Sequence, residues 1–432
     1  MSRWLLALAG PLLVALAPAT PAARPSAVSD PTVLSVEAAV QTALSQNPAL
    51  AGMRSRAQAL AQVPSQAGSL PDPRISFNAL SLPTDTFATG QEPMTQLQVG
   101  VSQALPFPGK RGLRAEAARF QAQAADQDVD ETRLRLIRAV RASWWRMFYL
   151  DRALDTVAAN QDLLRQLVKV AATKYRVGRG LQQDVLLAQL ELSRLLDQAL
   201  KLKAQRRTEA ARLDALLNRP TDLPVRLPRQ VPLALPRLPS AATLLAMADR
   251  DRPLLRAQAR LIGAAESRVA LAEKGYLPDF SVGAAYGFRS GRNSDGSQRP
   301  DFASFMFSMS LPLYAGSKQS REVDQRTSEL ITAQDTLQDR RQQIHAEVIS
   351  ALADYQQARD AFTLFRTGIL PQARQTVDAM LAGYQVNKVD FLNLVRAQTT
   401  LYDYETRYWK SLAEARQSLA RLTAAVGKEQ LP

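Results

Sequence analysis

The chain has 432 residues, a net charge of +14, no cysteine and a single histidine. This composition excludes disulfide bonds and thiolate metal sites, and it leaves almost no ligands for a soft metal ion. A basic chain can bind nucleic acid, but here the arginines are interleaved with acidic residues and glutamine and form no dense block, which is typical of a solvated helix surface.

Residues 1–23 have the pattern of a secretory signal peptide. Arg3 precedes an apolar run, and the small residues between Ala19 and Ala23 offer a cleavage site. The alternative, a transmembrane anchor, fits less well because the run is short and is interrupted by Pro11 and Pro18. No later segment approaches the ~20 apolar residues of a spanning helix, so we expect an exported chain that enters a membrane only through strands.

The rest of the chain is predicted to contain one structural repeat twice, at 24–219 and at 241–432. Three landmarks recur in the same order at nearly constant spacing. Leu-Pro-Asp occurs at 70–72 and 277–279, SQALPFPGKR from 102 matches SMSLPLYAGSK from 308, and KYRVGRGLQQDVLLAQLEL from 174 matches GYQVNKVDFLNLVRAQTTL from 383. Between the repeats, residues 220–240 contain six prolines, which forbid a helix and favour an extended connector.

Each repeat begins with a predicted helix, at 36–67 and at 241–275, followed by two strands separated by a polar loop. A very long helix, a short break and a returning helix complete the repeat. No proline occurs between Lys110 and Arg176, which permits a rod of about 100 Å at 1.5 Å per residue. A rod of this length is too long for a compact globular domain. Within it, Trp144, Trp145 and Phe148 are predicted to pack in the core.

The four predicted strands alternate apolar with small or polar residues over about ten positions. The apolar positions are Ile75, Phe77, Ala79, Leu97, Val99, Val101, Phe280, Val282, Ala284, Tyr286, Phe288, Phe305, Phe307, Met309 and Leu311. This alternation fits both a soluble sheet with one wet face and the wall of a transmembrane barrel. The long rods favour the barrel, and because four strands cannot close one, the barrel must be shared between copies of the chain.

Residues 71–118, PDPRISFNALSLPTDTFATGQEPMTQLQVGVSQALPFPGKRGLRAEAA, carry the most specific resemblance to a known family. Together with the duplication, they resemble the TolC-type outer-membrane factors, which are the exit ducts of tripartite efflux pumps and type I secretion systems. Within that family they are most similar to the heavy-metal (Czc/Cus-type) branch. The resemblance extends from Val36 to Val426.

The resemblance implies a mixed α/β membrane protein that forms a homotrimer. Each protomer would give four strands to a 12-stranded transmembrane β-barrel, continuous with a long α-helical barrel that projects from the outer membrane into the periplasm. The loops at 83–94 and 289–302 would face outside, and the helical tips at 177–180 and 386–389 would face the pump. The implied partners are outer-membrane lipid, a periplasmic adaptor protein and an inner-membrane RND transporter, and no cofactor or nucleic acid is expected.

The same resemblance places the functional residues at the two helical tips. The predicted gate residues are Arg176, Arg179, Asp184, Tyr384, Lys388, Asp390, Asn393 and Arg396. The predicted adaptor contacts are Val177, Gly178, Gly180, Val386 and Asn387. Glycine permits a tight reversal between two helices, and asparagine tolerates the same left-handed backbone.

The chain departs from the family pattern at two points. Cus-type relatives often carry a lipid on an N-terminal cysteine, which this chain lacks. In TolC-like members, acidic residues of the second tip ring the closed entrance, whereas the matching positions here are Asn393 and Arg396. The first tip keeps one carboxylate, Asp184, so we expect Asp184 to pair across neighbouring tips with Arg396 or Lys388.

The predicted function is that of a passive outer-membrane channel of an RND-type efflux pump that exports heavy-metal cations, and not that of an enzyme. His345 lies in a long helix with no nucleophile turn near it, so no catalytic residue and no metal site is predicted. Efflux of organic compounds and type I secretion stay open as alternatives. An exported helical stalk is the alternative of another class, but a stalk would not need four amphipathic strands.

Overall fold

The computed structural model describes residues 33–221, 223–386 and 388–431, so the predicted signal peptide and Asn387 lie outside the described residues. The described chain is mostly helical, with one small sheet. Its elements are α1 (Val36–Gln46), α2 (Pro48–Gly68), β1 (Arg74–Leu80), β2 (Gln96–Leu105), α3 (Lys110–Arg176), α4 (Gln182–Leu216), α5 (Ala241–Asp251), α6 (Pro253–Glu273), β3 (Phe280–Phe288), β4 (Phe302–Met309), α7 (Gln319–Leu364), α8 (Leu370–Gln385) and α9 (Phe391–Ala425).

The order of two helices, two strands and two long helical rods occurs twice along the chain. The first rod, α3, has 67 residues, and the returning helices α4 and α9 have 35 residues each. The second rod is α7 and α8 joined by a π-helical turn at Phe365–Ile369. Pro371 follows this turn and cannot donate a backbone hydrogen bond, which accounts for the local change from the α-helical to the π-helical hydrogen-bond pattern. Among the described helices, none is long and apolar enough to cross a membrane.

The predicted single helices at 36–67 and 241–275 are wrong, because each segment forms two helices. The breaks fall at Asn47 and Arg252, where the backbone is extended and a proline begins the next helix. Proline at the first helical position loses no hydrogen bond, but it cannot continue a helix from the preceding turn. The Asn47 side chain caps the new helix by accepting from the amides of Ala49 and Leu50 at 3.0 and 3.1 Å.

The four strands form one antiparallel sheet in the order β1-β2-β3-β4, so β1 and β4 are its edges. In each pair of neighbouring strands, the register places apolar residues opposite apolar residues. Ile75 pairs with Val101, Val101 with Ala284, and Ala284 with Phe305, which aligns an apolar face across all four strands. The predicted alternation is therefore confirmed, and the opposite face carries small and polar residues together with Phe302 and Met306 of β4.

The rod α3 packs against α2, α4, α6 and α9. The largest buried cluster lies midway along it and includes Trp144, Trp145 and Phe148, which confirms their predicted place in the core. Trp144 Nε1 donates to the carbonyl of Leu34 at 2.9 Å. The described part of the connector is not helical and is tied to the rods by arginine side chains, as when Arg416 donates to Ala234 O at 2.7 Å.

A buried lysine joins the sheet to the rods. Lys110 Nζ, at the start of α3, donates to Asp279 Oδ1 at 2.9 Å and to Leu277 O at 2.8 Å. The same carboxylate oxygen accepts from the amide of Phe107 at 2.8 Å. Asp279 belongs to the second Leu-Pro-Asp, so this motif ties the end of β2 to the start of β3. We call this set of contacts, made by Phe107, Lys110 and Asp279, the junction latch.

Candidate functional site at the tips of the helical hairpins

The first tip, residues 174–184, joins α3 to α4. Val177 and Gly178 end the helix, with the Gly178 amide donating to Tyr175 O at 3.0 Å. Gly178 has a φ of +72°, which favours glycine. A Cβ on Gly180 would lie 2.9 Å from Lys174 Cβ, so this position excludes a side chain for lack of space. The two glycines therefore permit the predicted reversal for two different reasons.

The second tip, residues 383–396, joins α8 to α9. The Lys388 amide donates to Gly383 O at 2.8 Å, and the Asn393 amide donates to the carbonyl of Asp390, the N-cap residue, at 3.1 Å. A Cβ on Gly383 would lie 2.5 Å from Val389 Cγ2, so glycine is required there as well. The predicted contact residue Asn387 lies outside the described residues.

The two tips contact each other through Lys174 and Tyr384. Lys174 Nζ donates to Tyr384 O at 2.7 Å and lies 3.9 Å from the centroid of the Tyr384 ring. Tyr384 is buried and packs against Phe391, with ring centroids 5.3 Å apart. Around it, Leu167, Ala171 and their neighbours form a separate apolar cluster. The lysine thus holds the second tip against the first.

Lys174 was absent from the predicted site, although the sequence contains a signal for it. The matching position of the second repeat is Gly383, so the two tips differ in charge there. The contact itself joins residues 210 positions apart, and it depends on how α3 packs against the second hairpin.

Tyr384 and Asp184, both predicted gate residues, interact within one chain. Burial raises the pKa of Tyr384 above its usual value, and the negative charge of Asp184 raises this pKa further. The Tyr384 hydroxyl is buried without a hydrogen-bond partner among the described residues. At neutral pH it is therefore a protonated donor.

The remaining predicted gate residues lie on the surface of the tips. Those exposed are Arg176, Arg179, Lys388, Asp390, Asn393 and Arg396. The contact residues Val177 and Val386 are exposed at the two turns. In the described part of the chain, no ion pair joins Asp184 to Lys388 or Arg396, and their pairing between neighbouring copies stays a prediction.

His345 is engaged in a structural contact. Its Nε2 lies 3.0 Å from Asp249 Oδ1, and Arg341 Nε lies 3.4 Å from the same oxygen. Among the described residues, no group of three or more His, Cys, Asp or Glu side chains is placed to hold a metal ion. His345 therefore links α7 to α5.

Residues 39–219 and 244–428 match the model of a family described as outer membrane efflux protein. This match covers most of the chain, which therefore belongs to that family. It is an outer-membrane protein whose helical part lies in the periplasm. Over 187 residues the chain is 26% identical to the outer membrane protein TolC of Salmonella enteritidis. The aligned segment covers 41% of this chain and 37% of TolC. The match thus spans little more than a third of that curated relative.

Several solved channels share the fold. VceC of Vibrio cholerae has a TM-score of 0.76 at 17% identity, covering 91% of this chain and 96% of VceC. CmeC of Campylobacter jejuni has a TM-score of 0.77 at 15% identity, covering 91% and 85%. CusC, described as a transmembrane channel, has a TM-score of 0.75 at 16% identity, covering 91% and 92%. The likeness to CusC is no greater than the others, so the fold does not single out the Cus-type branch.

Proposed function

We propose that the protein is the exit channel of a tripartite RND-type efflux pump. The observation that carries this proposal is the continuity of two parts, a sheet with one exposed apolar face and helical rods about 100 Å long. The sheet suits the outer membrane, and the rods suit a passage across the periplasm. The channel performs no chemistry, since the inner-membrane transporter supplies the energy and delivers the substrate.

Three copies of the chain form the channel in this proposal. The edge strands β1 and β4 have unpaired backbone groups, which are not viable in lipid unless another strand pairs with them. The two edge strands also carry the most exposed large apolar side chains of the sheet, with Phe77 exposed by 78% and Phe305 by 86%. Three sheets would close a 12-stranded barrel whose apolar face contacts outer-membrane lipid.

The tips form the regulated entrance of the channel. We assign adaptor contact to the exposed turn residues Val177, Gly178 and Val386 and to the half-buried Gly180, together with Asn387. Closure rests on Asp184 of one copy pairing with Arg396 or Lys388 of its neighbour. Each exposed pair contributes only about 0–1 kcal/mol. Threefold repetition and a narrow, poorly hydrated mouth would strengthen the combined effect.

The proposed substrates are heavy-metal cations, on the basis of the resemblance at residues 71–118. They would pass through without being held, because His345 is committed to Asp249. Organic compounds are the second candidate class, favoured by the net charge of +14, which repels cations. Deleting the chain should sensitise cells to divalent metals in the first case and to organic toxins in the second. His345→Ala should restore resistance as fully as the wild type does.

Single-channel recording in planar bilayers tests the channel and its gate. We expect discrete conductance steps that are small for the wild type and larger for Asp184→Arg and Arg396→Asp, because like charges then face each other. The double variant Asp184→Arg/Arg396→Asp should return toward the wild-type level. Asp162→Arg, a charge reversal in α3 far from the tip, is the control. Wild-type conductance in both single variants would contradict the gate, and the absence of steps from folded protein would contradict the channel.

A further inference from the structure

The two halves of the sheet have the same internal register. Ile75 pairs with Val101 in the first half, and Val282 pairs with Phe307 in the second. Val282 lies 207 positions after Ile75, and Phe307 lies 206 positions after Val101. Each residue of β1 and β2 therefore has a defined counterpart in β3 and β4. This equivalence makes the boundary between β2 and β3 a template for a boundary between β4 of one copy and β1 of the next.

The residues of the junction latch have counterparts at that second boundary. Asp72 matches Asp279 and Leu313 matches Phe107, while Lys318 matches Lys110 after two inserted residues. The donor and acceptor types are therefore the same. Within one chain, however, Asp72 precedes β1 and Lys318 follows β4, so the two residues lie at opposite edges of the sheet.

The two sets differ in exposure. Within the chain, Lys110 is 6% exposed and its ammonium donates two hydrogen bonds, whereas Leu313 is 80% exposed and Lys318 is also exposed. Asp72 is exposed, and no hydrogen bond or ion pair of its carboxylate or of the Lys318 ammonium occurs within the described chain. Within the described chain, Asp72 and Lys318 therefore lie at opposite edges of the sheet without a partner. Their counterparts Asp279 and Lys110 form the junction latch.

We propose that Asp72 of one copy and Lys318 of the next form a second latch across the subunit boundary and fix the pairing of β4 with β1. This inference rests on the proposed function, in which copies of the chain close one sheet. The template pairs Val101 with Ala284 and Gln103 with Val282. Carried to the boundary, these pairs set Phe307 opposite Phe77 of the next copy and Met309 opposite Ile75 of the next copy.

The latch is specific for this register. A slip of two residues keeps apolar side chains on the same face, so the apolar pattern alone does not exclude it. Such a slip moves the two strands by about 7 Å relative to each other. Asp72 and Lys318 would then be beyond ion-pair distance. The charges therefore select one register among those that the apolar face permits.

Cysteine cross-linking measures the register directly, because the chain contains no cysteine of its own. Facing residues of antiparallel strands have Cα atoms about 4.5–5.5 Å apart, within the range of a disulfide. Met309→Cys/Ile75→Cys should give covalent dimers and trimers on a non-reducing denaturing gel after mild oxidation. Met309→Cys/Ala79→Cys, which lies four residues out of register, should give none, as should each single variant.

Charge reversal tests the latch itself. Asp72→Lys and Lys318→Asp should each lower the temperature at which the trimer dissociates on a denaturing gel, and the double variant should recover most of the loss. Additive losses in the double variant would overturn the latch. A trimer that cross-links only through 309 and 79 would overturn the register and leave the proposed channel intact. A folded protein whose native mass is that of one chain would overturn the proposed function as well.

Discussion

The two ends of the helical rods differ in how far the duplicated residues have stayed alike. Where the rods meet the sheet, both repeats keep an aspartate and a lysine, as Asp279 with Lys110 and Asp72 with Lys318. At the tips the matched residues diverge. Tyr384 is 5% exposed while its counterpart Tyr175 is 47% exposed, and Lys174 is matched by Gly383. We infer that a boundary repeated around a closed wall needs the same contact each time, whereas an entrance that opens needs two unlike surfaces.

The largest expected effect separates the two tyrosines. Tyr384→Ala removes a buried ring from the tip cluster and should destabilise the second tip by about 3 kcal/mol. Tyr175→Ala removes an exposed ring and should change stability by less than about 0.5 kcal/mol. Hydrogen exchange of the amides at 383–396 measures the effect of Tyr384→Ala, and exchange at 174–184 measures that of Tyr175→Ala. Equal effects of the two variants would show that the tips are equivalent after all.

The junction latch should give the next largest effect. Asp279→Ala leaves the buried Lys110 ammonium and the Phe107 amide without their shared acceptor, at a cost of about 2 kcal/mol. The matched variant Asp72→Ala should leave the unfolding of a single chain unchanged and weaken only the association of chains. Urea unfolding in detergent, followed alongside trimer dissociation, distinguishes these outcomes. A loss of chain stability in Asp72→Ala would contradict the assignment of this residue to the subunit boundary.

A glycine at the first tip should give a smaller effect. Gly178→Ala places a Cβ on a residue with a φ of +72° and should cost about 1 kcal/mol. Gly52, in the second turn of α2, has open space around its Cβ position, and Gly52→Ala should stabilise the chain by up to about 1 kcal/mol. Thermal unfolding compares the two. Stabilisation by Gly178→Ala would show that the first tip does not need its left-handed turn.

The smallest effect concerns alkaline pH. Burial, with the charge of Asp184, raises the pKa of Tyr384 in the folded tip. The neutral tyrosine therefore contributes stability that is complete below about pH 10 and is lost as the pH rises through the raised value. Amide exchange at the second tip should accelerate in that range. Tyr384→Phe should abolish the acceleration, and Tyr175→Phe should not. If Tyr384→Phe still showed the acceleration at alkaline pH, the acceleration would come from another titrating group.

The sequence predicted the features that depend on local patterns. Alternation located both faces of the sheet, and the glycines at 178 and 180 located the first tip. The helix breaks at Asn47 and Arg252 were missed although a proline follows each, because the apolar pattern continues across them. The contact of Lys174 with Tyr384 could not be predicted, since it depends on the packing of hairpins from different repeats. The role of Asp279 also required the structure, because its partners lie more than 160 positions away.

The native mass of the detergent-extracted protein tests the central claim most directly. That claim is that one chain supplies a third of a closed wall, with the contacts inside the chain repeated between chains. We expect a particle of three chains that dissociates only on heating or denaturation. A folded single chain that stays stable in water without detergent would contradict the account.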